Sequence, residues 1–338
     1  MIARAPEGVR VGVTGLGTHV PKRVLGNDEL SRRLATSDDW IRQRTGIRER
    51  RIAGQTEAAS DLAVPAARRA LADAGVPARS IDLVIVATAS PDMLFPSTAS
   101  ILAARVGATE AAAYDLSAGC TGFVYGLAQA YGAVASGLAR RVLVVGSEVL
   151  SRLTDWDDRS TAILFGDGAG AAVVEEVETG GFVGFELGSD GTRAGEITLP
   201  AGGSRAPASP ETVAAHGHHI HMDGLAVFRF STTVTAESVT RLLGACELTL
   251  EDVDVYAPHQ ANQRIVDHAV RRLGLDPGKV LVNIDRYGNT STASIPLVLE
   301  EAVRDGRIVA GSGVLLSAVG AGLTWGSAFL VWSGGGRT

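Results

Sequence analysis

The sequence predicts an α/β fold made of two copies of one unit, and three observations lead there. Apolar, β-branched runs of strand length alternate with helix-length periodic segments along the chain. Those strand runs are almost continuously apolar, as buried and mostly parallel strands are. The order of strand, helix and glycine-rich turn then recurs in the second half.

Taken in order, VRVGVTGL (9–16), DLVIVATA (82–89), RVLVVGSEV (141–149) and AILFGDGAGAAVV (162–174) read as the first set of strands. VDVYAPH (253–259), KVLVNI (279–284) and GVLLSAVG (313–320) read as the second. Helical periodicity covers 62–75, 122–138, 261–275 and 295–306. In the first half DLVIVATASP leads to YDLSAGCTG and a helix, then to RVLVVGSEV and AILFGDGAGAAVV. In the second, VDVYAPHQAN leads to LVNIDRYGNTS and a helix, then to GVLLSAVGAG and WGSAFLVW. Residues 1–180 and 181–338 are the expected halves, and Cys120 and Asn289 fall at equivalent strand-to-helix junctions. The stretch 176–225, rich in Gly, Pro and Ala and without periodicity, reads as the bridge between them.

Composition narrows the class. A chain of 338 residues, 46% apolar and holding 41 glycines, is expected to pack as tight α/β layers around a large core. A net charge of −6 gives no global reason to expect nucleic acid or a membrane surface as partner. No apolar run reaches the roughly 20 residues of a membrane-spanning helix, and MIARAPEGVR lacks the apolar core of a signal peptide. Two cysteines are too few for a disulfide framework, so a reducing, cytoplasmic setting is expected.

Four segments could carry chemistry. Cys120 in YDLSAGCTGFVYG (114–126) is either a small core residue or a nucleophile. A helix start there would lower the thiol pKa from its usual value of about 8.5. Gly119 and Gly122 leave room for a ligand. His259 in PHQAN (258–262) is either a capping histidine or an imidazole aimed by Pro258 and Asn262. Asn289 in YGNTSTASIP (287–296) is an N-cap, a donor to developing negative charge, or both. In SAVGAGLTWG (317–326) the Gly320–Gly322 turn either serves close packing or turns backbone N–H groups toward an oxyanion.

Two further motifs carry less. HGHHIH (216–221) suggests metal, but no cysteine or carboxylate cluster flanks it, and it reads as a polar loop. GVTGLG (12–17) resembles half a dinucleotide fingerprint; counted from Gly15 its sixth position is Val20, with Pro21 next, which excludes a nicotinamide site.

Together, Cys120, PHQAN and YGNTSTASIP resemble the β-ketoacyl-ACP synthase III family, thiolase-fold enzymes that start fatty-acid synthesis. The likeness runs from about residue 10 to 332 and includes TSDDWIRQRTGIRERR (36–51), FGDGAGAAVV (165–174) and LTWGSAFLVW (323–332). It implies two βαβαβαββ halves in five α-β-α-β-α layers, with Cys120, His259 and Asn289 catalytic. The implied reaction is a decarboxylating condensation of an acyl-CoA starter with malonyl-ACP to a 3-oxoacyl-ACP. It proceeds through an acyl-Cys120 intermediate and needs no metal or redox cofactor. The Cys120 N–H and one in the 320–322 turn, at Ala321, would form the oxyanion hole.

The resemblance extends to substrate contacts. Trp40 and Arg159 would sandwich the CoA adenine, with Thr36 and Arg44 near the nucleotide. Asn262 and Phe228 would line the pantetheine tunnel. Phe95 would close the partner's acyl pocket across a homodimer. Arg264, Arg271 and Arg272, joined by Arg229, would offer a basic patch to the acidic acyl carrier protein. Where the family often has Phe-Gly-Gly-Gly, this chain has Val319, Gly320, Ala321 and Gly322, which removes ring volume from the acyl pocket. A polyketide-priming synthase or acyltransferase of the same fold is the alternative. A non-catalytic partner subunit would have no need of the intact cysteine, histidine and asparagine.

Overall fold

The computed structural model describes residues 1–5 and 8–334; Pro6, Glu7 and residues 335–338, the last of them the end of the expected second half, lie outside the described residues. Ten strands make two five-stranded sheets: β1 (Ile2–Arg4), β2 (Val11–His19), β3 (Leu83–Ala87), β4 (Ala112–Leu116), β5 (Arg141–Glu148), β6 (Gly168–Glu176), β7 (Gly181–Ser189), β8 (Val255–Pro258), β9 (Gly313–Gly320) and β10 (Thr324–Val331). Seven longer helices accompany them: α1 (Asp38–Thr45), α2 (Ala59–Ala74), α3 (Thr98–Val106), α4 (Gly122–Ala135), α5 (Gly224–Ala245), α6 (Gln263–Leu273) and α7 (Ser294–Arg304).

The first sheet runs β2-β6-β5-β3-β4 and the second β1-β7-β10-β9-β8. β3 pairs in parallel with β4 and β5, and β8 in parallel with β9; the remaining pairs are antiparallel. Setting β2 against β7, β6 against β10, β5 against β9 and β3 against β8 superposes the two orders. The duplication is therefore real at the level of topology. Its one gap falls on KVLVNI: the expected strand is reduced to a single parallel bridge, Tyr256 to Val280. A helical turn, Ile284–Tyr287, takes up the chain before it can extend.

Hydrophobicity explains the layering. α4 is apolar on nearly every face, so most of its surface must be buried. It lies with α7 between the sheets, where Phe123, Leu127, Ile295 and Leu299 pack against Val144 and Leu316. α2 and α3 cover the outer face of the first sheet through alanines and Leu62, Leu71 and Leu102. α5 and α6 cover the second through Val239, Leu242 and Val266. The result is the expected α-β-α-β-α stack. Among the described residues no helix is long and apolar enough to cross a membrane.

Two expectations need correction. AILFGDGAGAAVV is not one strand: Arg159–Ala162 is a helical turn, and the strand begins at Gly168. The stretch 176–225 is not a mere bridge. It contributes β7, whose Gly181, Gly184 and Gly188 break the apolar alternation of Phe182, Phe185 and Leu187. It also holds the paired segments Ile197–Thr198 and His221–Met222. α5 escaped periodicity because Ser231, Thr232, Thr235 and Ser238 are buried hydroxyl residues on its inner side.

Gly146 in β5 sets the spacing between sheet and central layer, since a Cβ there would lie 2.3 Å from the Thr292 carbonyl oxygen. Gly146→Val is expected to destabilise the fold by about 1–3 kcal/mol through overpacking and to lower Tm in calorimetry. Gly132→Ala, at an α4 position facing open space, should raise stability by a few tenths to about 1 kcal/mol. Equal effects of the two would contradict this spacing role.

Candidate active site

Cys120 sits in a tight turn, Gly119–Thr121, that runs directly into α4. Gly119 has φ +53°, and a Cβ on it would lie 2.7 Å from the Ala321 nitrogen. A Cβ on Gly320 would lie 2.6 Å from the Cys120 nitrogen. Glycine at both positions lets two backbones from opposite halves touch. The Thr121 and Thr324 hydroxyls, 2.9 Å apart, and the Ala118 carbonyl, 2.6 and 3.1 Å from them, form one cluster that shares two protons and pins the contact.

His259 follows β8, its N–H donating to the Ser317 carbonyl at 2.7 Å. Its Nδ1 lies 2.7 Å from Ser294 Oγ at the start of α7, which leaves Nε2 for the cavity. Asn262 was expected to help aim this ring. Instead it caps α6, accepting from Arg264 N–H at 2.9 Å, and donates through Nδ2 to the Arg44 carbonyl. Asn289 is held by its backbone against Leu164–Gly166, and its Oδ1 accepts the Ser291 N–H at 2.9 Å. That bond turns Nδ2 outward as a donor. Cys120, His259, Asn289 and Ala321 all line one cavity of about 220 Å³, with Phe228 and Val319 in its largely apolar wall.

Burial governs the charge states here. Desolvation pushes the Cys120 thiol up to about 11, opposed by hydrogen bonding from the Ser291 hydroxyl and the residue's own N–H. Burial thus acts against the lowering expected from the helix start, while the residue's own N–H acts with it. Burial also drives His259 down to about 3, so its imidazole is neutral at neutral pH. Beneath them Glu148, fully buried, accepts from Ser90 Oγ at 2.6 Å, Thr292 Oγ1 at 3.1 Å and the Ala89 N–H. Burial raises its pKa, and any charge on it opposes a Cys120 thiolate.

The comparisons decide the family. The family profile described as 3-oxoacyl-[acyl-carrier-protein (ACP)] synthase III matches residues 114–191, and its C-terminal counterpart matches 243–332. A relative from Symbiobacterium thermophilum named β-ketoacyl-[acyl-carrier-protein] synthase III is 53% identical over 95% of this chain and 98% of its own. The chain belongs to the β-ketoacyl-[acyl-carrier-protein] synthase III family. The crystal structure of the synthase III from Thermus thermophilus matches with a TM-score of 0.89 at 50% identity, covering 96% of this chain and 99% of that one. The priming β-ketosynthase of the R1128 polyketide pathway matches with a TM-score of 0.90 at 38% identity, covering 98% and 99%.

For a member of this family the outer residues are placed as follows. Arg159 and Arg44 rest on the Trp40 indole, at 4.8 and 5.4 Å from its centre. Arg159 also donates to the Ala35 carbonyl at 2.8 Å, and Trp40 and Arg159 are in contact with no gap between them. The Thr36 hydroxyl is buried nearby without a partner. Asn262 lines the cavity and ties this cluster to it through Arg44. Phe95 is 84% exposed and lies outside the cavity wall. Arg264 lies over the Phe228 ring at 5.4 Å, while Arg229 and Arg271 are exposed. Arg272 is paired with Glu237 at 3.2 Å, so its charge is already partly met. Sequence reasoning missed Ser294 and Glu148; the hydroxyl run after Asn289 was the available signal for the first, and an acid inside an apolar strand for the second.

A histidine that resists protonation until about pH 3 in the folded state, but ionises near 6.5 when unfolded, costs stability as pH falls between those values. His259→Gln should flatten that acid slope, measured as Tm against pH from 7 downward. The Cys120 thiol should react slowly with iodoacetamide at neutral pH, its rate rising with pH without a plateau until about 11. A plateau near pH 7 would contradict the resting charge state.

Proposed function

We propose that the enzyme condenses an acyl-CoA starter with malonyl-ACP to a 3-oxoacyl-ACP, opening type II fatty-acid synthesis. The observation that carries this reading is the convergence of Cys120, His259 and Asn289 on one apolar cavity, each polar group with its other side already engaged. The Cys120 sulfur attacks the thioester carbonyl, and CoA leaves with the thiol proton, giving acyl-Cys120. The N–H groups of Cys120 and Ala321 face the carbonyl oxygen as it gains charge.

The malonyl group next loses carbon dioxide, and the electrons of the broken C–C bond pass into an enolate. Nε2 of His259 and Nδ2 of Asn289 stabilise its oxygen as hydrogen-bond donors. This requires the Ser294 hydroxyl to donate to Nδ1, so that Nε2 carries the proton. The carbanion attacks acyl-Cys120, and the released thiolate recovers a proton. The balance is one proton consumed and one carbon dioxide released. No step calls on a metal or redox cofactor.

Thr36, Trp40, Arg44 and Arg159 would hold the nucleotide end of CoA, and Phe228 and Asn262 its pantetheine arm. Arg229, Arg264, Arg271 and Arg272 would receive the carrier protein. The exposed apolar run Met93, Leu94 and Phe95 is the surface that supports a homodimer with Phe95 closing the partner's acyl pocket. Residues 1–180 and 181–338 are taken as the two halves, with β1 crossing to the second sheet. A cytoplasmic enzyme is the setting this chemistry implies. The polyketide-priming reading keeps its place because the R1128 neighbour matches over nearly the whole chain. A panel of starter acyl-CoAs with malonyl-ACP, read by product mass, separates the two.

Four substitutions test the roles. Cys120→Ser should abolish the acyl adduct in intact-mass spectra, and an adduct on another residue would overturn the nucleophile. Asn289→Ala should slow malonyl decarboxylation about 10²-fold or more while sparing acyl transfer to Cys120; equal slowing of both half-reactions would refute that division. Arg264→Glu should raise the carrier-protein KM in a salt-dependent way. Arg272→Glu should raise it less, because Glu237 already pairs with Arg272.

A further inference from the structure

The histidine-rich segment 216–221 has no flanking carboxylate cluster in sequence, but the fold brings a carboxylate to it from 61 residues away. His216 Nδ1 lies 2.9 Å from Asp155 Oδ2, and His219 Nδ1 lies 3.9 Å from the same oxygen. All three ligand-type atoms are within 4.8 Å of one another. The other carboxylate oxygen, Oδ1, accepts the Asp157 N–H at 3.0 Å, which orients Oδ2 toward the imidazoles. His219 Nδ1 is shielded from solvent and has no hydrogen-bond partner. Such a buried polar atom is costly unless something completes it.

We propose that Asp155, His216 and His219 bind a divalent transition-metal ion of the zinc, cobalt or nickel type. Two imidazoles and a carboxylate suit those ions and not magnesium or calcium, which favour all-oxygen shells. Bonds of about 2.0–2.2 Å in tetrahedral geometry would separate the ligand atoms by about 3.3 Å, so the three need to shift only by roughly an ångström. His216 is exposed, which leaves water a fourth position. The remaining histidines are engaged elsewhere: His218 Nε2 with Thr212 Oγ1 at 3.0 Å, and His221 Nε2 with the His216 carbonyl at 3.2 Å.

The site also has a mechanical consequence. The Ile220 N–H donates to the Leu153 carbonyl at 2.7 Å, and both residues line the catalytic cavity. An ion on Asp155, His216 and His219 would staple these two segments together and stiffen that wall. The inference is independent of the reaction proposed above.

The test uses the full chain, freed of metal with a chelator and titrated with Co²⁺ alone near neutral pH. Visible d–d absorption should saturate at one ion per chain and be displaced by Zn²⁺. His219→Ala and Asp155→Asn should each weaken Co²⁺ binding about tenfold or more, whereas His218→Ala should leave it unchanged. Zn²⁺ should raise Tm in the native chain and not in His219→Ala, with circular dichroism confirming that the metal-free variants are folded. Absence of saturable binding, undiminished affinity in His219→Ala and Asp155→Asn, or loss on His218→Ala would each overturn the assignment.

Discussion

The turn that carries Cys120 and the turn Gly320–Gly322 meet through bare backbone, and the catalytic geometry hangs on that contact. Side chains are excluded at both points of approach, where an added Cβ would stand 2.6–2.7 Å from a backbone nitrogen. Two N–H groups can serve one oxygen only when their chains come this close. The antiparallel pair β9–β10 delivers one turn and the β4-to-α4 passage delivers the other. The Thr121–Thr324 hydroxyl pair then fixes their separation. Because the turns belong to opposite halves, the site exists only when both sheets pack on the central helices.

That same packing sets the charges. Enclosing the nucleophile and the imidazole between two sheets removes the water that would stabilise a thiolate or an imidazolium, so both groups rest neutral. Neutral His259 keeps Nδ1 engaged by the Ser294 hydroxyl at 2.7 Å and leaves Nε2 for the cavity. Glu148 sits beneath this arrangement, held by three hydroxyl and backbone partners that share its buried carboxyl.

Around the cavity the structure is less committed. Arg159 lies over the Trp40 indole and holds that cluster together by a cation–π contact. The wall made by Leu153 and Ile220 joins two irregular segments through one backbone hydrogen bond, and the Asp155–His216–His219 cluster lies beside it. Arg264 covers the ring of Phe228, a residue of the cavity wall, and so sets a positive charge beside the cavity.

The amino-acid sequence by itself determined the α/β class, the duplicated order and the three polar residues at the centre. Each of those is local: a strand run, a glycine turn, a short motif whose residue types suit one chemistry. Tertiary structure alone decided the rest. KVLVNI has strand composition, but a helical turn at Ile284–Tyr287 and a single bridge at Val280 replace the strand. β7 and α5 were hidden because glycines and buried hydroxyls, tolerated only in their packed surroundings, interrupt the apolar period. The direction of the Cys120 shift depends on how much water the two sheets exclude, which no local motif encodes. Ser294 behind His259, and Asp155 beside His216 and His219, are contacts between residues at least 35 apart, made by chain folding and invisible to spacing.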